Sequence, residues 1–150
     1  MSPEHAENLP PLLLSHKAFI VHNGHILLLQ RSHISRYQPN LLELPGGTIN
    51  SSQDPLLELK REVTEEAGLE IRITKPLVYT HTSITSTPPF LASPRLVIVS
   101  VCEPVEPIKV ALSSEHQSFE WIPYIKACDM LNKLEEVTRE VLRLLRLHSI

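Results

Sequence analysis

Two apolar stretches near the start of the chain are separated by a turn dipeptide. Residues 17–22 and 25–30 are rich in Ile, Val, Leu and Phe, and Asn23-Gly24 lies between them. Because Asn-Gly tolerates the positive φ angles of a tight turn, this pattern predicts an antiparallel hairpin. Later apolar segments of strand length predict further strands at residues 41–44, 71–74, 77–82, 96–102 and 119–122.

Two helices are predicted from apolar spacing and end signals. Asp54 and Pro55 are a preferred cap and first-turn pair, and Gly68 is a typical left-handed terminator, so we expect a helix between them. In a second helix, over residues 133–148, the apolar side chains share one side and Asn132 is the expected N-cap. This arrangement favours an α/β or α+β fold with a mixed sheet between helical layers.

Length, charge and cysteine content limit the classes of function. The 150 residues suit one domain, expected over residues 13–150, after a flexible tail at residues 1–12. A net charge of −3 argues against extended nucleic acid and gives no sign of a membrane partner, whereas small phosphorylated metabolites stay compatible. Cys102 and Cys128 provide neither a disulfide framework nor a zinc pattern, so we expect a cytoplasmic protein.

Three acids in the first predicted helix are the most informative pattern. Glu62, Glu65 and Glu66 are spaced to share one helix face, where their like charges oppose one another. A solvated acidic surface is the ordinary explanation for such a triplet. Here, however, the Pro-Gly-Gly loop at residues 45–47 supplies backbone that can approach a ligand closely. Carboxylates beside such backbone suit a hard divalent cation such as Mg²⁺.

Residues 47–69 resemble the Nudix box, the signature of the Nudix hydrolase family. Only Gln53 departs from the pattern, because it stands where the family has a Glu. The resemblance implies a Nudix-like α/β/α sandwich with a mixed β-sheet. It also implies metal-dependent hydrolysis of a nucleoside diphosphate linked to another moiety, with Mg²⁺ or Mn²⁺ as the cofactor. The matching positions are Gly47, Arg61, Glu62, Val63, Glu65, Glu66, Gly68 and Leu69.

The same resemblance implies roles for individual residues. Glu62, Glu65 and Glu66 are the expected metal ligands, together with the Gly46 carbonyl. Arg61 is expected to orient these acids by hydrogen bonds rather than to touch substrate. Water activated by the cation would then attack phosphorus in the P–O–P bridge.

The Gln53 side chain can hydrogen-bond Arg61, so it is expected to share the orienting role, but its amide brings no negative charge. We therefore expect Gln53→Glu to tighten Mg²⁺ binding and to raise activity. A Mg²⁺ titration of both forms checks this expectation, and equal or weaker affinity in the variant would contradict it.

A general base is also required, because the attacking water must lose a proton. Glu115 is the first candidate, since it precedes the single Trp in a placement similar to that of an additional metal-binding or catalytic Glu in several family members. A solvated loop carboxylate is the alternative. Glu62 and Glu65 in the box are the other catalytic candidates. His81 and His116 can carry protons, although lone histidines are more often structural.

Substrate recognition is the least patterned part of the sequence. The candidates are basic side chains that can bind phosphate and aromatic side chains that can stack on a base. Core packing or solvent exposure is the more frequent role for each of them. The candidate residues are Arg31, His33, Arg36, Tyr37, Tyr79, His81 and Phe90.

Two other classes of function are compatible with the sequence. The missing box acid would suit a Nudix domain that senses a nucleotide without cleaving it, although three acids are retained. An interaction domain would use the acidic helix to bind a basic partner, but Arg61 and the paired glycines would then have no role. Hydrolysis of a small nucleotide or diphosphate-containing substrate is therefore favoured, with a homodimer as one possible assembly.

Overall fold

The computed structural model describes residues 13–49, 54–84 and 94–147, and these contain seven strands and three α-helices. Within these ranges no helix is long and apolar enough to cross a membrane. The elements are β1 (Leu13–His22), β2 (His25–Arg31), β3 (Leu42–Glu43), β4 (Gly46–Thr48), α1 (Pro55–Ala67), β5 (Ile71–Ile84), β6 (Pro94–Pro104), β7 (His116–Pro123), α2 (Tyr124–Ala127), a 3₁₀ turn (Leu131–Lys133) and α3 (Glu136–Leu147).

The strands form one mixed sheet in the order β3-β2-β1-β6-β5, with β4 paired to β1 and β7 paired to β2. β1 and β6 run parallel, and the other pairs are antiparallel. Asn23 and Gly24, with φ angles of 50° and 74°, join β1 to β2. The predicted hairpin and the predicted mixed sheet are therefore confirmed.

Alternate residues of the two central strands pack on opposite faces of the sheet. Successive strand residues point to opposite faces, so unbroken apolar runs predict a sheet that is covered on both sides. The core against α1 contains Ala18, Ile20, Leu27, Leu29, Leu59 and Val63. The core against α3 contains Phe19, Ile26, Leu28, Val141, Leu142 and Leu145. The sheet thus lies between helical layers, as predicted.

Helix α1 begins and ends at the residues that the sequence indicates. The Asp54 carboxylate accepts a hydrogen bond of 2.9 Å from the backbone N–H of Leu56, and Pro55 follows at the first helical position. Gly68 ends the helix in the left-handed conformation, with φ 66°. A Cβ at Gly68 would lie 2.9 Å from the Ala111 side chain, so both backbone angle and packing favour glycine there.

The predicted start of the last helix at Lys133 and its predicted cap Asn132 are wrong. Residues 131–133 form the 3₁₀ turn, and α3 begins at Glu136. The buried Glu135 carboxylate accepts hydrogen bonds from the backbone N–H groups of Val137 (2.8 Å) and Thr138 (3.0 Å). Because these N–H groups have no partner within the helix, Glu135 takes the capping role, although Glu is not a preferred cap residue.

β5 is one strand where the sequence predicts two, at 71–74 and 77–82. Its register against β6 shifts between Ile73 and Lys75 and again between Lys75 and Tyr79. Pro76 lies in the second interval and has no N–H to donate to the ladder. The break in the apolar pattern therefore marks an irregularity within a strand and not its end.

Candidate active site

A cavity of about 370 Å³ lies where β1, β4 and α1 meet the loop before β7 and the start of α3. Its described lining is mostly charged and includes both cations and several carboxylates. The lining residues are Ser15, Lys17, Arg31, Tyr37, Glu43, Gly46, Gly47, Thr48, Glu62, Glu66, Glu115, Glu135 and Val137. The cavity therefore brings together four residues nominated for metal binding or catalysis: Gly46, Glu62, Glu66 and Glu115.

The paired glycines bring backbone directly against the carboxylates of α1. The sequence placed residues 45–47 in a loop, whereas Gly46 and Gly47 form β4, paired with β1. Gly46 has φ 124°, and a Cβ there would lie 2.1 Å from the His16 carbonyl oxygen, so no other residue fits. The Gly46 N–H donates a hydrogen bond of 3.1 Å to Glu66. A Cβ at Gly47 would lie 3.5 Å from a Glu62 carboxylate oxygen.

Glu66 is one of three buried acids in the described lining of the cavity and is only 6% exposed. Burial raises the pKa of its carboxyl to about 7, against the opposing effects of the Lys17 charge and the Gly46 hydrogen bond. Burial also raises the pKa of the half-buried Glu62, although the Arg61 charge opposes the shift and the Glu115 charge adds to it. A cation close to these acids stabilises both carboxylates, because its positive charge compensates for the lost hydration of their ionised forms.

Glu65 lies outside the cavity, within a surface network centred on Arg61. The Arg61 guanidinium donates to Glu65 at 2.6 Å and to Glu58 at 2.8 Å, and it lies 3.5 Å from Glu62. The Glu65 side chain is 58% exposed. Across the described ranges, no three His, Cys, Asp or Glu side chains are already grouped as a metal cluster. The structure therefore places two box acids, Glu62 and Glu66, in the cavity. Arg61 contacts Glu62 and Glu65, and its orienting role stays a prediction.

Sequence reasoning missed a buried ion pair in the cavity wall. Lys17, which is 6% exposed, lies 3.6 Å from the Glu43 carboxylate and donates a hydrogen bond of 3.3 Å to the Leu44 carbonyl. Burial would lower the pKa of Lys17, but Glu43, Glu135 and Glu66 outweigh it and raise the pKa above its ordinary value. The sequence does carry a signal for this pair, because Lys17 and Glu43 are each the single charged residue in an apolar strand segment, 17–22 and 41–44.

Arg31 and Tyr37, two of the predicted substrate-binding residues, do line the cavity. The Arg31 guanidinium donates to both carboxylate oxygens of Glu43 (3.2 and 3.1 Å), to the Tyr37 carbonyl (2.9 Å) and to the Ser35 hydroxyl (2.9 Å). It also lies 5.9 Å from the centre of the Tyr37 ring. These bonds tie the loop after β2 to the buried Glu43.

The other predicted residues lie elsewhere. Arg36 is exposed and does not line the cavity, and His33 is exposed and bonds Gln117 through its backbone N–H at 2.8 Å. Gln53, Phe90 and the side chains of Tyr79 and His81 lie outside the described residues. His116 is buried and bonds Glu43 at 2.7 Å.

Glu43 should make folding stability sensitive to acid. Burial raises the pKa of its carboxyl, but Lys17, the His116 hydrogen bond and Arg31 outweigh burial and lower it from 4.5 to about 2. A group with a lowered folded pKa stabilises the protein above its unfolded pKa, and this contribution is lost as the pH falls towards the folded pKa. At about 1.4 kcal/mol per pKa unit, the full loss is about 3.5 kcal/mol, and it is complete only below the folded pKa.

Urea unfolding of the wild type and Glu43→Gln between about pH 6 and pH 3 measures this effect. We expect the difference in free energy of unfolding to be largest above pH 4.5 and to shrink in more acidic solution. Glu120→Gln, at an exposed position on β7, is the matched control. A difference in free energy of unfolding that stays constant over this pH range would contradict the lowered pKa of Glu43.

The sequence profile of the NUDIX domain matches residues 15–145, which is most of the chain. The chain belongs to the Nudix family. The predicted family and the predicted Nudix-type hydrolase class are thus confirmed. A comparison with curated protein sequences finds no match.

Solved structures share the fold of this Nudix hydrolase. A MutT protein from Methanosarcina mazei Go1 is 25% identical, with a TM-score of 0.73 over 93% of this chain and 96% of that one. A MutT NUDIX hydrolase from Burkholderia pseudomallei is 19% identical, with a TM-score of 0.69 over 89% and 97%. A bifunctional NMN adenylyltransferase/ADP ribose pyrophosphatase from Francisella tularensis, complexed with AMP and a Mn ion, is 17% identical, with a TM-score of 0.64 over 94% and 43%. The predicted Nudix-like α/β/α sandwich is confirmed.

Proposed function

We propose that this Nudix hydrolase cleaves the P–O–P bridge of a nucleoside diphosphate linked to another group, with Mg²⁺ or Mn²⁺ as cofactor. The observation that carries the proposal is the meeting of Glu62 and Glu66 with the Gly46-Gly47 backbone in one cavity. Glu66 is buried there with a pKa of about 7, so its ionised form lacks sufficient partners within the protein.

The residues present fit a hard divalent cation. Glu62, Glu66 and the Gly46 carbonyl would hold it, because Mg²⁺ prefers carboxylate and carbonyl oxygens and completes its shell with water and phosphate. When bound, the cation neutralises the diphosphate oxygens and lowers the pKa of a bound water. Glu65 is held by Arg61, so we assign it to the support of that arginine and not to the inner ligand set.

The chain's own residues then bind the substrate and remove one proton. Glu115 lines the cavity and is the proposed base that accepts the proton of the attacking water. Glu62 is the second candidate for this role. Lys17 is placed in the same wall, where its positive charge favours a bound diphosphate. Tyr37 and Val137 supply the less polar part of the lining, where the nucleoside or the leaving group can pack.

A single domain over residues 13–150 in the cytoplasm completes the proposal. The domain assignment rests on the profile match over residues 15–145. The compartment rests on Cys102 and Cys128, which are both buried free thiols. A homodimer stays a prediction.

A substrate panel tests the proposed function. Nucleotide sugars, ADP-ribose, dinucleoside polyphosphates and nucleoside triphosphates are incubated with Mg²⁺ or Mn²⁺, and the products are separated by chromatography. We expect cleavage within the phosphate chain, dependent on the cation and stopped by a chelator. Saturable binding without cleavage of any compound would instead indicate a nucleotide sensor.

A further inference from the structure

The start of β7 carries a β-bulge directly after Glu115. Along β2 and β7, Gln30 is opposite Ser118, but the next residue, Arg31, is opposite His116. Gln117 is therefore an extra residue in the strand. A bulge of this kind changes which way the neighbouring side chains point, and bulges are frequent beside active sites.

At the bulge, His116 and Gln117 lie in different environments. The His116 side chain is turned inward, at 6% exposure for the residue, and its Nε2 lies 2.7 Å from Glu43 Oε1. Gln117 is exposed, accepts a hydrogen bond from the His33 N–H at 2.8 Å and donates one to the Asn40 side chain at 3.0 Å. The chain at this point is thus attached both to the buried Glu43 and to the loop after β2.

The Glu43 carboxylate that His116 bonds is itself held by other side chains. Its two oxygens accept hydrogen bonds from Arg31 at 3.2 and 3.1 Å, and Lys17 lies 3.6 Å away. The Glu43 side chain is almost wholly buried, so none of these partners is easily exchanged for water. A residue that bonds Glu43 is therefore held in place by three strands: β1, the end of β2, and β3.

Among the described residues, the bond to Glu43 is the one hydrogen bond found for the His116 imidazole. Nδ1 is buried and has no hydrogen-bond partner among the described residues. The bond therefore assigns the proton to Nε2, which donates to the carboxylate. A glutamine amide can reach a similar position and donate in the same way, whereas phenylalanine keeps the ring and removes the donor.

Glu115 is an exposed residue directly before this attachment, and backbone hydrogen bonds hold the segment around it, including one of 3.2 Å from the Ser113 N–H to the Glu66 carbonyl. The Glu115 carbonyl accepts a hydrogen bond of 3.1 Å from the Ser32 N–H, and its own N–H reaches the Ser113 hydroxyl at 3.4 Å. Its side chain lines the active-site cavity, and its charge contributes to the raised pKa of Glu62. The direction of this side chain depends on the backbone at the beginning of β7.

We propose that His116 is a positioning residue for the reaction, which holds the Glu115 carboxylate opposite Glu62 through its hydrogen bond to Glu43. This inference rests on the proposed function, in which Glu115 accepts the proton of the attacking water. His116 itself touches neither the substrate nor the reacting water in this account. A small displacement of a catalytic group is sufficient to slow a reaction about a hundredfold, so the loss of one anchoring bond has a measurable consequence.

The test is a double-mutant cycle between His116 and Glu115. His116→Phe and His116→Gln are each measured in the wild type and in Glu115→Gln, with the substrate that the panel identifies. We expect His116→Phe to lower kcat about ten- to a hundredfold with KM nearly unchanged, and His116→Gln to retain most of the activity. In the Glu115→Gln background, His116→Phe should have almost no further effect, because the group it positions is already inactive.

Several outcomes would overturn the proposal. An equal loss of kcat in both backgrounds would show a general structural effect, and a wild-type kcat for His116→Phe would show that the bond is unimportant. If His116→Phe does not fold, His116→Leu replaces it, and failure of His116→Gln to restore activity would also count against the proposal. Glu120→Gln, exposed further along β7, is the control.

The same cycle distinguishes failure of this proposal from failure of the proposed metal-dependent hydrolysis. A wild-type kcat for Glu115→Gln would remove both the role of Glu115 as base and the role of His116. Metal-dependent hydrolysis would then be tested separately, by the activity of Glu66→Gln.

Discussion

Replacing Glu66 by glutamine is expected to lower kcat about a thousandfold. The amide keeps the size of the side chain and can still accept the hydrogen bond from the Gly46 N–H, but it removes the buried charge that would hold the cation. A metal ion stabilises a phosphoryl transition state by several kcal/mol, and about 1.4 kcal/mol corresponds to a tenfold change in rate. Initial rates with saturating Mg²⁺ measure the effect.

The loss of activity should not reflect unfolding. Because burial raises the pKa of Glu66 to about 7, the folded protein does not favour its charged form, and a neutral amide should be tolerated. The thermal unfolding midpoint of Glu66→Gln without metal should therefore equal that of the wild type or lie slightly above it. Glu70→Gln, at an exposed acid just after α1, is the matched control and should retain activity. A Glu66→Gln enzyme within tenfold of the wild type would contradict the assignment of Glu66 as a metal ligand.

Replacing Glu115 by glutamine is expected to lower kcat by a factor of about 10² to 10⁴, the usual contribution of a general base. KM should change little, because the proposed role is proton removal and not substrate binding. Steady-state kinetics over a range of substrate concentrations separate the two parameters. Glu120→Gln, on the exposed part of β7, serves as the control.

A kcat within about threefold of the wild type would remove Glu115 from the mechanism. Glu62, the second candidate, would then be the proposed base. Glu62→Gln should in that case lower kcat and flatten the acidic side of the pH–rate profile, whereas a loss of metal affinity alone would assign Glu62 to the ligand set.

The parts of the fold that the sequence predicts are those with local causes. Asn23-Gly24 specifies a hairpin through the φ angles it allows, and Asp54 and Gly68 specify the ends of α1 through capping and a left-handed turn. The start of α3 could not be predicted in this way. Its cap is Glu135, a residue type that rarely caps, and the Glu135 backbone N–H bonds the carbonyl of Leu42, far away in sequence.

In the candidate site, too, the features with local causes are predicted from the sequence, and those that depend on distant residues are not. Spacing on one helix brought Glu62 and Glu66 together, but it could not show that Arg61 holds Glu65 outside the cavity, since that choice depends on competing ion pairs at the surface. The pairing of Lys17 with Glu43 depends on burial by the whole sheet. For the same reason Arg31, predicted as a phosphate ligand, was not recognised as a link between Glu43 and Tyr37.

The most direct measurement is a crystal structure with Mn²⁺ and a non-hydrolysable diphosphate analogue of the substrate, in which anomalous scattering locates the metal. The account predicts a Mn²⁺ peak within coordination distance of carboxylate oxygens of Glu62 and Glu66 and of the Gly46 carbonyl oxygen, beside the bound analogue. An analogue bound in this cavity, with both carboxylates turned to solvent and without an anomalous peak beside them, would contradict it.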